Sequence, residues 1–164
     1  MINMKEDRDV LARFDTIWAR VQPEHTQTKP EATEPDDEKP LRLMIEQTGA
    51  AAKVLATLSQ REPCHAAQLR RLSCERGLMT RQMQGAYYLL TGSRVSAGAS
   101  CTVRHESAAC LRCLWQTSRN QALHARRLAE ETDEPLLKTL YTELADLLEE
   151  QCEPLQSIVC ALIG

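Results

Sequence analysis

Apolar side chains recur every three or four residues along four segments of the chain, and this spacing restricts the possible folds more than any other feature. The segments span residues 41–58, 69–90, 111–129 and 137–162. This period places the side chains on one face of an α-helix, whereas a half-buried strand alternates at every second residue. The four faces comprise Leu41, Met44, Thr48, Ala52, Leu55 and Leu58; Leu69, Leu72, Arg76, Met79, Met83, Ala86 and Leu90; Leu111, Leu114, Ser118, Ala122, Ala125 and Ala129; and Leu137, Leu140, Leu144, Leu148, Gln151, Leu155, Val159 and Leu162. We therefore predict an all-α protein with four long helices.

The ends of these segments carry residues that start or stop helices. Pro63 and Pro135 suit the first turn of a helix, and Gly92 is placed to cap a C-terminus. Residues 93–106 show no helical period and are long enough to cross the length of a bundle. We expect two helical hairpins joined by a crossover, which together form a four-helix bundle over residues 41–164.

The first forty residues differ in composition from the bundle. An apolar face at helical spacing predicts a short amphipathic helix within residues 1–22. That face consists of Leu11, Phe14, Trp18 and Val21. Residues 24–40 contain three prolines and six acidic residues against two lysines, a composition that cannot form a core. We therefore assign residues 23–40 to an acidic linker.

The overall composition argues against several classes of partner. The formal net charge is −3, which does not favour binding to nucleic acid. No run approaches the roughly 18 apolar residues of a membrane span, and the first residues lack the apolar core of a secretion signal. We expect no membrane association and a cytoplasmic location. The seven cysteines are odd in number and lie mostly in helical segments, so we expect reduced thiols.

Three stretches of the chain resemble the ferritin-like, rubrerythrin-like four-helix bundles of bacteria. Residues 69–92, LRRLSCERGLMTRQMQGAYYLLTG, resemble the second bundle helix of that family. Residues 126–145, RRLAEETDEPLLKTLYTELA, resemble its junction between the third and fourth helices, and residues 14–24, FDTIWARVQPE, resemble its N-terminal extension. The resemblance implies a bundle in which each hairpin supplies a glutamate and a Glu-x-x-His pair to a di-iron centre.

This chain departs from that pattern at every ligand position. The resemblance places on the six ligand positions Thr48, Arg76, Met79, Ser118, Leu148 and Gln151. None has the family's ligand type, and Arg76 would add a permanent positive charge where two cations would sit. The expectation is a bundle that keeps the architecture without the di-metal site, with no catalytic residue and no cofactor.

The function expected from this reading is that of a non-enzymatic scaffold or protein-interaction module, with a protein partner or a homodimer. The alternative is a rubrerythrin-like oxidoreductase or iron-handling protein that binds iron through substitute ligands.

Arg76 interrupts an otherwise apolar face and has two interpretations. It could serve as an anion anchor, with polar groups of the same layer binding a carboxylate or phosphate. Those groups are Thr48, Ser118 and Gln151. Alternatively, its stem is buried and its guanidinium is bonded to a carbonyl or to an acid such as Glu46 or Glu150.

A further set of metal-ligand types lies before and within the third helical segment. Cys101, His105, Cys110 and Cys113 fall within thirteen residues, and thiolates with an imidazole suit tetrahedral zinc. Only one Cys-x-x-Cys pair is present, and Cys110 and Cys113 fall in the first turns of a predicted helix. A zinc or thiol-redox module is therefore a third hypothesis.

Overall fold

The structure, a computed structural model, describes residues 37–98, 103 and 105–164 and consists of helices and their connections. The helices are α1 (Glu38–Arg61), α2 (Ala66–Thr91), α3 (Ser107–Glu131) and α4 (Pro135–Ile163), and a 3₁₀ turn, Pro63–His65, joins α1 to α2. This confirms the prediction of an all-helical protein with four long helices. The predicted N-terminal helix (1–22) and residues 23–36 of the predicted linker lie outside the described residues, whereas residues 38–40 of that linker belong to the first turn of α1. None of the described helices combines the length and apolarity that crossing a membrane requires.

The helix ends follow the local sequence signals, with one correction. Gly92 adopts a left-handed φ of 70° and donates its N–H to the Tyr88 carbonyl, which closes α2. Pro135 opens α4, where the Glu134 side chain accepts a hydrogen bond from the backbone of the first turn. The start of α1 was placed too late, because the helix begins at Glu38 and takes in Pro40. Proline is tolerated there because first-turn N–H groups have no partner within the helix.

Two antiparallel hairpins make up the bundle. Tyr87 near the end of α2 donates to the carboxylate of Glu38 at the start of α1, and the Ser73 hydroxyl donates to the Ala52 carbonyl at 2.8 Å. From the first pair to the second, the residue number rises on α1 and falls on α2, so the two helices are antiparallel. The three-residue connection 132–134 makes α3 and α4 antiparallel in the same way.

The connection between the hairpins lies along α1. A Cβ on Gly49 would lie 2.6 Å from the Ala97 carbonyl oxygen, so only glycine lets the connection pass this close. Further on, the Arg61 guanidinium donates to the Val103 carbonyl at 2.5 Å. The connection therefore follows α1 toward its C-terminal end, where α3 begins.

The core consists of two apolar clusters stacked along the bundle. One cluster comprises Leu41, Met44, Ile45, Met79, Met83, Tyr87, Ala122, Ala125, Ala129, Leu137, Tyr141, Leu144, Ala145 and Leu148. The other comprises Ala51, Leu55, Leu58, Leu69, Leu72, Val103, Leu111, Leu114, Leu155, Ile158 and Val159. Of the four predicted faces in residues 41–162, all positions are buried except Leu162, which is partly buried, and Leu90, which is 45% exposed in the last turn of α2.

Candidate functional site

A layer of buried polar side chains separates the two apolar clusters in the middle of the bundle. Every helix contributes to this layer, because each apolar face is interrupted by a polar residue at the same level along the bundle axis. The members of this polar layer are Thr48, Arg76, Ser118, Gln121 and Gln151. None is more than 8% exposed. Buried polar groups are destabilising unless they are hydrogen-bonded, so their partners determine what the layer can do.

Arg76 is the centre of this layer and is fully buried. Its Nε donates to Oε1 of Gln151 at 2.6 Å, and its Nη2 donates to Oγ of Ser118 at 2.8 Å. Its third nitrogen, Nη1, is buried and has no acceptor within the described structure. Ser118 in turn donates to the Leu114 carbonyl of its own helix at 2.5 Å. Arg76 therefore joins α2 to both helices of the other hairpin and retains unused hydrogen-bonding capacity.

The positive charge of Arg76 has no direct anionic partner among the described residues. The Nε2 of Gln151 donates to Oε2 of Glu75 at 2.8 Å, so Gln151 links the guanidinium to a carboxylate that it does not touch. Glu75 itself is 38% exposed and lies 3.6 Å from the Arg71 guanidinium. The charge in the layer is thus stabilised by neutral hydrogen-bond acceptors and only indirectly by a carboxylate.

Burial shifts the ionisation of the layer. Loss of hydration lowers the pKa of Arg76 to about 10, and the nearby Cys152 thiol, when ionised, acts in the opposite direction. Burial also raises the pKa of Cys152, against the attraction of Arg76 for the thiolate. At neutral pH Arg76 is therefore charged and Cys152 is a neutral thiol.

A second hydrogen-bonded pair lies beside Arg76. Gln121 donates from Nε2 to Oγ1 of Thr48 at 2.8 Å, and the same nitrogen lies 3.7 Å from the Met44 sulfur. This pair links α1 to α3. Thr48 bonds to Gln121, whereas Ser118 and Gln151 bond to Arg76.

An open cavity of about 500 Å³ adjoins the layer between α1 and α3. The buried part of its lining consists of Arg76, Ala51, Leu114 and Gln121. The exposed part of its lining is polar and consists of Gln47, Thr117, Asn120 and His124. None of the described residues that line the cavity is acidic, and Arg76 is the one among them with a permanent charge.

The six positions suggested by the family resemblance all face the interior. Thr48, Arg76, Met79, Ser118, Leu148 and Gln151 are each at most 7% exposed. Met79 and Leu148 belong to an apolar cluster rather than to the polar network. A carbonyl or an acid such as Glu46 or Glu150 was expected to accept hydrogen bonds from a buried Arg76. Both acids are exposed, and the acceptors are the side-chain carbonyl of Gln151 and the hydroxyl of Ser118.

The structure describes three of the four proposed zinc ligands. Cys110 and Cys113 lie in the first turns of α3, and the Cys110 sulfur is 3.8 Å from the His105 carbonyl oxygen. Cys113 is exposed, and Cys101 lies outside the described residues. Among residues 37–98, 103 and 105–164, no group of three or more His, Cys, Asp or Glu side chains is arranged to hold a metal ion.

Two members of the site were missed by sequence reasoning. Gln121 follows Ser118 by three residues and so lies on the same helical face, a spacing that could have placed it in the layer. Glu75 could not have been assigned, because it lies beside the apolar face and enters the network only through the Gln151 amide.

Fold and site together define a four-helix bundle with a polar, arginine-centred layer in its core. Comparison of the chain with known protein families, curated proteins and solved structures gave no match. The features that bear on its function are therefore this layer, the cavity and the outer surface of the helices.

Proposed function

We propose that this chain is a non-enzymatic, ferritin-like four-helix bundle that has no di-metal centre and acts by binding a protein partner. The observation that carries the proposal is the buried Arg76 guanidinium, hydrogen-bonded to Ser118 and Gln151 in the middle of the bundle. A fixed positive charge at this point repels divalent cations.

The donor groups of the layer do not fit a pair of iron ions. Hydroxyl, thioether and amide groups are weak ligands for ferrous or ferric iron, and the guanidinium has no lone pair to offer. Among the described residues, the carboxylate that joins the network is that of Glu75, at its partly exposed edge. Substitute ligands would have to displace Arg76 before iron could bind.

The path of the chain supports the ferritin-like arrangement. Two antiparallel hairpins are joined by a connection that lies along α1 toward the start of α3, with contacts at Gly49 and Arg61. A single long crossover of this kind distinguishes ferritin-like bundles from simple up-and-down bundles.

The outer face of α2 supports a role in protein binding. Cys74, Leu78, Gly85 and Leu89 lie on one side of this helix and are exposed, with Leu89 at 77%. A Cβ on Gly85 would contact nothing within 4 Å, so no neighbour in the described structure explains a glycine that weakens the helix. This side of α2 also carries the exposed Arg81 and Gln82, so it is mixed in polarity. Its two exposed leucines, with a glycine between them, suit close approach by another helix, and a second copy of this chain could supply the same face.

Iron titration tests the loss of the metal centre. Ferrous iron is added anaerobically to purified apoprotein, followed by oxygen, and absorption is recorded together with the bound iron per chain. The expected result is no stoichiometric uptake, both for the natural chain and for Arg76→Glu, because the layer still lacks the other ligands. Tight uptake of about two irons per chain, with an oxo-bridged absorption band that Glu75→Gln weakens, would contradict the proposal.

Light scattering coupled to size-exclusion chromatography tests the α2 face. We expect a concentration-dependent dimer that dissociates when Leu78 and Leu89 are both replaced by Glu. The matched control is Leu123→Glu on α3, which is 61% exposed in the natural chain and lies outside this face. A natural chain that remains monomeric at all concentrations would refute self-association, as would a dimer that persists in the double variant.

A further inference from the structure

The cavity beside Arg76 has the features of a ligand site. Polar residues line its opening to solvent, and the buried, charged side chain of Arg76 lines its inner wall. The volume of about 500 Å³ lies in the range of small-molecule pockets. The cavity therefore combines access from solvent with a buried cation at its inner wall.

The unsatisfied nitrogen of Arg76 indicates which kind of ligand would fit the cavity. Nη1 is buried without an acceptor, whereas Nε and Nη2 are each bonded. A buried donor without a partner is destabilising, and more so when it is charged, so an acceptor at Nη1 would stabilise the layer. An anion at this nitrogen would supply the acceptor and the compensating charge together.

The lining determines the kind of anion. One permanent positive charge suits a monoanion better than a phosphate dianion, since Gln47, Asn120 and Thr117 contribute only neutral groups. The walls formed by Ala51, Val54 and Leu114 are apolar. Such a surface fits a short hydrocarbon chain, whereas an inorganic ion would leave it without contacts.

We propose that this cavity binds a small organic monocarboxylate, whose carboxylate accepts a hydrogen bond from Arg76 and whose apolar tail contacts Ala51, Val54 and Leu114. The proposal depends neither on a protein partner nor on the absence of iron, so it can fail or succeed separately from the proposed function.

Calorimetric titration of the full-length protein with hexanoate tests the proposal. Two probes are titrated in parallel: hexanamide, which has the same chain without charge, and inorganic phosphate, which has charge without the chain. We expect saturable binding of one hexanoate per protein. Both other probes should bind at least about tenfold more weakly, because each lacks one of the two interactions. Absence of hexanoate binding at millimolar concentrations, or tighter binding of hexanamide or phosphate, would overturn the proposal.

Three variants locate the binding. Arg76→Met should weaken hexanoate binding at least about tenfold, whereas Arg81→Met, an exposed arginine of the same helix, should leave it unchanged. Ala50→Phe, on the cavity wall, should block binding while it leaves Arg76 in place, and it remains informative if Arg76→Met does not fold. Undiminished binding by Ala50→Phe or by a folded Arg76→Met variant would place the ligand elsewhere and refute the assignment.

Discussion

The hydrogen bond between Arg76 and Gln151 predicts strong energetic coupling between two residues that lie 75 positions apart in the sequence. The perturbation is a double-mutant cycle with Arg76→Met, Gln151→Leu and the combined variant. Both replacements are apolar and roughly preserve side-chain volume, so they remove polar interactions with little change in packing.

The two single variants should differ in their effect on stability. Gln151→Leu leaves the guanidinium buried with one remaining acceptor, Ser118, and should destabilise the protein by about 1.5–3 kcal/mol, the value for a hydrogen bond to a charged group. Arg76→Met leaves Oε1 of Gln151 without its donor, at about 1–3 kcal/mol. It also removes a charge whose burial lowers the pKa of Arg76 well below its usual range, to about 10, which corresponds to about 3 kcal/mol. These effects oppose each other, so Arg76→Met should be close to neutral.

The combined variant should be more stable than Gln151→Leu alone. Once the guanidinium is absent, the introduced leucine faces the introduced methionine, and no buried charge loses a partner. We expect a coupling energy of about 2 kcal/mol, within the range measured for residues in one network. Replacing a buried polar cluster by apolar residues is often neutral or stabilising, which is consistent with this direction.

The assay is urea denaturation at neutral pH, followed by the helical circular dichroism signal and extrapolated to water. The controls are Arg81→Met and Gln82→Leu, exposed residues of α2, which should each change the free energy of unfolding by less than about 0.5 kcal/mol. Additive effects of the two core substitutions would refute the contact. A loss above about 4 kcal/mol for Arg76→Met would show that the buried charge is a major source of stability, contrary to this reasoning.

Two glycines, two tyrosine hydroxyls and the ionisation of Arg76 give three further predictions. Gly49→Ala should lower the free energy of unfolding by about 1–3 kcal/mol because its Cβ would lie 2.6 Å from the Ala97 carbonyl oxygen. Gly77→Ala, where a Cβ meets nothing within 4 Å, should instead stabilise by up to about 1 kcal/mol in the same urea assay, and equal effects would contradict the close approach. Tyr141→Phe should leave the thermal unfolding midpoint unchanged or raise it, because the buried Tyr141 hydroxyl has no partner in the described structure. Tyr87→Phe should lower the midpoint, because the hydrogen bond to Glu38 is lost. A lower midpoint for Tyr141→Phe than for Tyr87→Phe would contradict these hydrogen-bond assignments. The free energy of unfolding of the natural chain, relative to that of Arg76→Met, should rise as the pH increases above about 10. In that range the folded chain has released the Arg76 proton, whereas the unfolded chain still binds it. Paired urea titrations that show a constant or falling difference would exclude the lowered pKa.

The sequence was sufficient to predict the helices and the height of the polar layer, because both depend on periodicity. Thr48, Arg76, Ser118 and Gln151 each interrupt an apolar face, and a residue on such a face is buried whatever its chemistry. The partners of Arg76 could not be predicted in the same way. A long, flexible guanidinium reaches several acceptors, and the separation between helices decides that Gln151 and Ser118 receive its hydrogen bonds rather than Glu46 or Glu150.

The cavity could not be predicted from the sequence either. It lies between α1 and α3, where small side chains such as Ala50 and Ala51 face the other hairpin. A small residue on a helix indicates close packing as readily as open space, so the sequence alone does not distinguish the two. The same ambiguity applies to glycine. Gly49 is required by the passing chain, whereas Gly77 has open space beside it.

A crystal structure of protein produced in iron-rich medium, with anomalous diffraction recorded at the iron absorption edge, tests the central claim most directly. We expect density for the Arg76 guanidinium between Ser118 and Gln151, with no anomalous peak in the middle of the bundle. Two anomalous peaks at that height, with Arg76 displaced and acidic side chains bridging them, would contradict it.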